Sequence, residues 1–267
     1  MQRILILTLA FALCLSAASV DGLAIHSTTT GNGAKTIILV HGWTCDESMW
    51  TSQTPELSKD FRVISLDLPG HGRTGSPKDG KLSMDLFARA VEAVRAEAKA
   101  EKVVLVGHSM GTPVVVQFTR LFPQHVAGLV FADGLIENGG NAAAAQRMGG
   151  PLGRQAREQM IRGWFSASTT PAIQTKILDI MLASPEETAV GAMYATIDPA
   201  IWKQDMLTMP ILALYADHSP FANRTYMTTH FPALEYHEIA GTGHFLMLEK
   251  PEEFNSLLVS FLNKLTY

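Results

Sequence analysis

Apolar residues along this chain follow two rhythms: short, nearly unbroken runs, and longer stretches in which they recur every three or four positions. Runs of the first kind are Thr36 to Val40, Phe61 to Leu66, Val103 to Val106, Val126 to Ala132 and Ile211 to Tyr215, with Leu234 to Ile239 as one more strand. Rich in β-branched and aliphatic residues, they predict strands buried on both faces of a parallel sheet. The second rhythm predicts helices between them. Ser83 can cap a helix that runs to about Ala100 with Phe87, Val91 and Val94 on one face. Thr112 to Phe122 reads as another, with Pro113 tolerated in its first turn and Pro123 closing it. A last helix opens at Pro251-Glu252-Glu253, its apolar face carrying Phe254, Leu257, Leu258, Phe261 and Leu262. Strands alternating with helices at this spacing define an α/β fold, a mostly parallel sheet covered by helices on both faces. Near the start, Gly31-Asn32-Gly33 predicts a turn joining a short strand around Leu23 to Ser27 with Thr36 to Val40 in a hairpin.

Between Leu135 and Met206 the strand rhythm stops and Ala, Gly and Met dominate. Ile173, Ile177, Ile180 and Met181 share a helical face there, and Ser184-Pro185-Glu186-Glu187 reads as a capping box. The expected organisation is therefore a core of residues 21–134 and 207–267 with a helical cap, residues 135–206, inserted into it. Met148, Met160, Trp164, Phe165, Met181, Met193 and Tyr194 are the cap residues expected to line an apolar pocket.

The first twenty residues follow different rules. Arg3, a twelve-residue apolar run from Ile4 to Leu15 and small residues from Ser16 to Ser19 have the order of a secretory signal peptide, residues 1–20. The run is too short to serve as a permanent membrane anchor, so no stable membrane insertion of the mature chain is expected and the location is secreted or periplasmic. Removal of the segment takes Cys14 with it and leaves Cys45 without a disulfide partner.

At 267 residues, 47% hydrophobic and 17% charged, the chain has material for a sizeable core. The 21 Lys and Arg against 25 Asp and Glu give a net charge of −4. Losing Arg3 takes this to −5, and no basic cluster occurs. Nucleic acid and anionic membrane surfaces are poor partners for such a chain.

The chemistry concentrates at Lys102 to Gly111, where a buried strand stops at Gly107-His108-Ser109-Met110-Gly111 and a helix follows. A serine on that sharp turn has its hydroxyl lifted clear beside a helix N-terminus, whose unpaired N–H groups favour a developing negative charge. A serine hydroxyl needs an imidazole to take its proton, and the imidazole needs a carboxylate to hold its tautomer. His244, on the loop Gly241-Thr242-Gly243-His244 after a strand, is the candidate imidazole. His125, His218, His230 and His237 show no metal-ligand spacing, and no metal or cofactor is expected.

Taken together, His41-Gly42-Trp43, Asp67-Leu68-Pro69-Gly70-His71-Gly72, Gly107-His108-Ser109-Met110-Gly111 and Gly243-His244-Phe245 with Leu248-Glu249-Lys250-Pro251 resemble the α/β-hydrolase superfamily. The likeness implies the α/β-hydrolase fold, with Ser109 as nucleophile, His244 as general base, and the backbone N–H groups of Trp43 and Met110 as oxyanion hole. The acid departs from the family's usual pattern. Many members place it just before a proline on the loop after the strand matching Ile211 to Tyr215, where this chain has Ser219 before Pro220 and an aspartate, Asp217, two residues earlier. Others, such as the haloalkane dehalogenases, place it after the strand that follows the nucleophile helix, and Asp133 lies there. The absence at Ser219 shifts the expectation to Asp133, with Asp217 as the alternative.

A serine at the nucleophile position argues against haloalkane dehalogenase and epoxide hydrolase chemistry, which in this superfamily use aspartate. The resemblance implies a serine carboxylesterase that cleaves small to medium esters through an acyl-enzyme, with a small-molecule ester as its partner. Lactonase, thioesterase, amidase, cofactor-free haloperoxidase and carbon–carbon bond hydrolase activities share the same residues. A ligand-binding receptor on the same fold is the reading from a different class.

Overall fold

The structure, a computed structural model, describes residues 18–137 and 140–267. The predicted leader up to residue 17 lies outside them. Nine strands are described: β1 (Ser19–Val20), β2 (Leu23–Ala24), β3 (Ser27–Thr30), β4 (Thr36–Val40), β5 (Arg62–Leu66), β6 (Val103–His108), β7 (Val126–Ala132), β8 (Ile211–Ala216) and β9 (Leu234–Ile239). The helices are α1 (Thr54–Leu57), α2 (Met84–Glu97), α3 (Gly111–Leu121), α4 (Ala142–Gln146), α5 (Gly153–Arg162), α6 (Pro171–Ala183), α7 (Glu186–Ile197), α8 (Arg224–His230), α9 (Leu246–Glu249) and α10 (Pro251–Lys264).

Seven strands form one sheet in the order β3-β5-β4-β6-β7-β8-β9, parallel throughout except for β3. Every residue of β4, β6 and β8 is buried, as unbroken apolar runs in the middle of a covered sheet require. Parallel pairing with Val40 opposite Gly107, His108 opposite Ala132 and Ala132 opposite Leu214 brings the loops after β4, β6, β7 and β8 out at one edge. Ser83 caps α2, its hydroxyl accepting from the Leu86 N–H at 3.1 Å.

Two expectations are corrected. No hairpin joins the region around Leu23 to β4, because both edges of β4 are taken by β5 and β6. Instead β3 crosses to the outer edge of β5 and runs antiparallel to it, while Leu23–Ala24 pairs with Ser19–Val20 in a separate two-stranded sheet. Ser184 does not cap α7, which starts after Pro185; Glu186 accepts the N–H of Gly150 at 2.9 Å and ties the helix to the α4–α5 turn. The described residues begin at residue 18, inside the segment read as the leader, residues 1–20. Ala18 and Val20 are buried, the Ala18 carbonyl accepts from Ile25, and its N–H reaches the Glu97 carboxylate at 2.9 Å.

Three buried histidines hold the loops at the active edge as neutral rings. His41 donates from Nδ1 to the Gly42 carbonyl and accepts the Leu68 N–H at Nε2, while His71 donates to the Pro69 carbonyl. His108 donates to the His244 carbonyl at 2.8 Å. Burial pushes His71 down to about 3 and holds His41 and His108 below the ordinary histidine value. Unfolded, all three titrate near 6.5, so below that value the unfolded chain binds protons that the folded chain refuses. Their contribution is full above about pH 6.5 and falls as the pH drops, for His71 down to about 3. Going from pH 7 to pH 6 is expected to cost roughly 0.7 kcal/mol for His71, with His41 and His108 acting in the same direction. Urea midpoints at the two pH values check this, and equal midpoints would contradict it.

Candidate active site

Packing is close where β6 turns into α3. A Cβ on Gly107 would stand 2.4 Å from the Gly111 carbonyl oxygen, and one on Gly111 would stand 2.4 Å from the Val40 carbonyl oxygen, so the helix start comes close to β6 and β4 only because both residues lack a side chain. Ser109, between them, is forced to φ 53°, a left-handed conformation uncommon outside glycine. Its N–H donates to the Ala132 carbonyl at 3.1 Å, and its carbonyl accepts from Thr112 and Leu135. The serine is thus fixed from both sides, with its hydroxyl facing the cavity above the sheet edge.

That hydroxyl lies 2.9 Å from His244 Nε2, and His244 Nδ1 lies 2.6 Å from Asp133 Oδ2. All three residues are buried. Asp133, one residue beyond β7, is held at φ 43° by bonds to the end of β8. Its N–H donates to the Leu214 carbonyl at 2.8 Å, and its Oδ1 accepts the Ala216 N–H at 3.0 Å. The Tyr215 hydroxyl fixes the next residue by donating to the Gly134 carbonyl at 2.8 Å. Asp217 is not brought to the His244 ring. It is partly exposed, and its carboxylate accepts the Gly241 N–H at 2.8 Å, a bond that holds it below the usual carboxylate range. Its observed contact is with the backbone of the histidine loop.

The His244 ring is enclosed by aromatic groups. Phe221 lies at 4.8 Å between centroids, Trp164 at 5.0 Å and Phe245 at 5.3 Å. His108, which the sequence offered only as a motif neighbour, holds the His244 carbonyl, and its ring packs 4.7 Å from the His244 ring. Glu249 supports the same loop by accepting the Gly243 N–H at 2.5 Å and the Thr169 hydroxyl.

The loop after β4 passes directly against the serine. A Cβ on Gly42 would meet Ser109 Cβ at 2.9 Å, so only glycine allows this approach. Trp43 follows it, and the Trp43 indole donates to the Ala189 carbonyl of α7 at 2.7 Å. Trp43, Met110 and Ser109 border one cavity of about 330 Å³, whose walls include Met148, Met160, Trp164 and Met193. Phe165, Met181 and Tyr194, also expected there, do not line it. Phe165 packs on Phe245, Met181 is buried between helices, and Tyr194 faces outward. Cys45 is buried and unpaired, and burial raises its thiol, which removes it as a nucleophile. Among the described residues no cluster of three His, Cys, Asp or Glu is arranged to hold a metal, and no helix is long and apolar enough to cross a membrane.

A serine on a strained turn between a buried strand and a helix, hydrogen-bonded to a histidine that a carboxylate orients, is the arrangement of the α/β hydrolases. The chain belongs to the alpha/beta hydrolase family, whose model matches residues 37–257. It is 27% identical over 245 residues to the dihydrolipoyllysine-residue acetyltransferase component of the acetoin cleaving system of Pseudomonas putida. That match takes in 88% of this chain and 65% of the relative, so the chain spans less than two thirds of that protein's length. Among solved structures it is similar to a thermophilic esterase from Thermogutta terrifontis, with a TM-score of 0.81 and 25% identity over 93% of this chain and 96% of that one. It is also similar to Est816, described as an N-acyl homoserine lactone degrading enzyme, with a TM-score of 0.78 and 27% identity over 91% and 99% of the two chains.

Proposed function

We propose that this chain is a serine carboxylesterase acting on small to medium esters. The observation that carries the reading is the unbroken path from Ser109 Oγ through the His244 ring to Asp133, opening on an apolar cavity. In this scheme Ser109 Oγ attacks the ester carbonyl as its proton passes to His244 Nε2. The oxyanion is met by the N–H groups of Trp43 and Met110, and Asp133 stabilises the imidazolium. Collapse releases the alcohol with the proton from His244. Water, deprotonated by the same nitrogen, then frees the acid and restores Ser109. The cavity lies at the small end of ligand sites, which run from about 300 to 1,000 Å³. The same steps open a lactone ring, and the likeness to the lactone-degrading Est816 favours that second reading. Turnover of p-nitrophenyl esters with two to twelve acyl carbons, with substrate in excess, tests the proposal. A single burst or no release points instead to a binding protein.

The segment α4 to α7 is read as the lid of this site. Trp164→Ala enlarges the wall beside His244 and is expected to shift the kcat/KM optimum toward longer acyl chains. Phe165→Ala is expected to leave that optimum in place and lower Tm, since its ring packs on Phe245 and lies outside the cavity. Equal shifts in both variants would contradict the assignment.

We also propose export through the N-terminal segment, with cleavage before Ala18. A cut after Val20 would remove β1 from its pairing with β2 and uncover the buried Ala18 and Val20 positions. Intact mass of the exported protein is expected to begin at or just before Ala18. A mass that still includes Met1 to Leu15 would contradict export processing.

A further inference from the structure

The chemistry of the cavity narrows the substrate beyond its ester bond. Resting on the ester-hydrolase reading, we infer that the cavity sorts substrates by charge: it admits chains that are neutral or cationic and rejects chains that carry a carboxylate, with Glu137 setting the preference. Among the described residues that line the cavity there is no lysine or arginine, and Glu137 is the single charged side chain. Its walls are otherwise thioethers, aromatic rings and aliphatic groups, such as Met148, Met160, Met193, Trp164 and Phe221.

Glu137 is held in place. It follows β7 on the same loop as Asp133, and the Asn223 amide nitrogen lies 3.1 Å from both of its carboxylate oxygens. The Asn223 carbonyl oxygen caps α8 by accepting the Tyr226 N–H at 2.9 Å, which leaves the amide nitrogen facing Glu137. Among the described residues no lysine or arginine forms an ion pair with Glu137. Its negative charge therefore stands at the cavity with one neutral hydrogen-bond partner.

A carboxylate entering this space gives up water against methionine and tryptophan side chains and finds no cation to replace it. It also meets the like charge of Glu137 at the cavity wall. A neutral chain of the same length meets neither obstacle. A cationic chain gains attraction to Glu137 and to the faces of the aromatic rings.

The test compares three methyl esters of matched reach: methyl pentanoate, monomethyl glutarate and methyl 4-(trimethylammonio)butanoate. The methyl on the alcohol side is too small to fill the cavity, so the variable chain must occupy it. Hydrolysis is followed by pH-stat, and kcat/KM for the glutarate is expected to lie roughly 30-fold or more below that for the pentanoate. The exposed Glu137→Gln variant is expected to narrow that gap about three- to tenfold, as is 0.5 M salt. Glutarate turnover equal to that of the pentanoate, or a gap unmoved in a Glu137→Gln protein of native circular dichroism, overturns the inference. Binding of the same esters to Ser109→Ala by ligand-observed NMR gives an arm that needs no turnover. Absence of hydrolysis with all three counts against the esterase reading alone, whereas equal affinity of Ser109→Ala for glutarate and pentanoate overturns charge sorting.

Discussion

Alanine at Ser109 is expected to lower kcat for any ester the protein turns over by about 10⁴ to 10⁶, with His244→Ala in the same range, because nucleophile and base act as one unit. What remains should be the catalysis that binding and the oxyanion donors supply without a nucleophile. The fold should survive the change. Ser109 holds φ at 53° through its backbone N–H bond to the Ala132 carbonyl and the bonds its own carbonyl accepts from Thr112 and Leu135, all of which alanine keeps. The strain itself gives a second reading of the same position. A residue with a Cβ costs on the order of 1 to 2 kcal/mol in this conformation, whereas glycine adopts it freely and loses only part of that gain to chain entropy. Ser109→Gly is therefore expected to be as inactive as Ser109→Ala and more stable than it by about 1 kcal/mol in urea unfolding. An alanine variant that keeps a tenth of the activity would remove Ser109 as nucleophile. A glycine variant less stable than the alanine variant would show that the turn stores no strain.

The sheet was legible because its signal is local. β4, β6, β7 and β8 are unbroken apolar runs, and a run buried on both faces reads the same from sequence as from structure. Where a strand's partner depends on which edge is free, local pattern fails. The Gly31 to Gly33 turn suggested a hairpin, yet β4 already had β5 and β6 beside it, and β3 had to cross to β5. Ser184 failed for a similarly small reason: Pro185 holds the position before α7, and the helix begins one residue later than the capping pattern implies.

The site shows the same division. Ser109 and His244 carry their signal in the glycines around them, because close approach of strand, helix and loop leaves no room for a Cβ. The cap residues carry less. Helical spacing groups Met181 with Ile173, Ile177 and Ile180, but the face that meets Ser109 is set by how α5 to α7 lie over the sheet. Met148, Met160, Trp164 and Met193 reach the cavity, while Met181 and Phe165 serve packing. His108 gave no advance sign of its hydrogen bond to the His244 carbonyl, since the motif accepts many residues there and the partner lies 136 positions away. Glu137 was missed because one exposed acid in a loop has no periodicity and no motif.

The acid is the residue for which sequence left two candidates and geometry separates them. Asp133 meets His244 Nδ1 through Oδ2 and keeps Oδ1 occupied by the Ala216 N–H. In Asp133→Asn the amide oxygen is the group able to satisfy Ala216, which turns the NH₂ toward His244. A donor there obliges Nδ1 to accept and moves the ring proton to Nε2, where it blocks transfer from Ser109. The expected loss in kcat is about 10³ to 10⁴, with native circular dichroism, since shape and the Ala216 bond are retained. Asp217→Asn changes no donor or acceptor that matters to the ring. Its amide oxygen can still accept the Gly241 N–H in an exposed loop, so less than about tenfold is expected there. Kinetics of the two folded variants on one p-nitrophenyl ester decide between them. Near-normal kcat in Asp133→Asn beside a crippled Asp217→Asn would mean that the loop after β8 swings its aspartate to His244 in the working enzyme and that the contact at 2.6 Å is not the catalytic one.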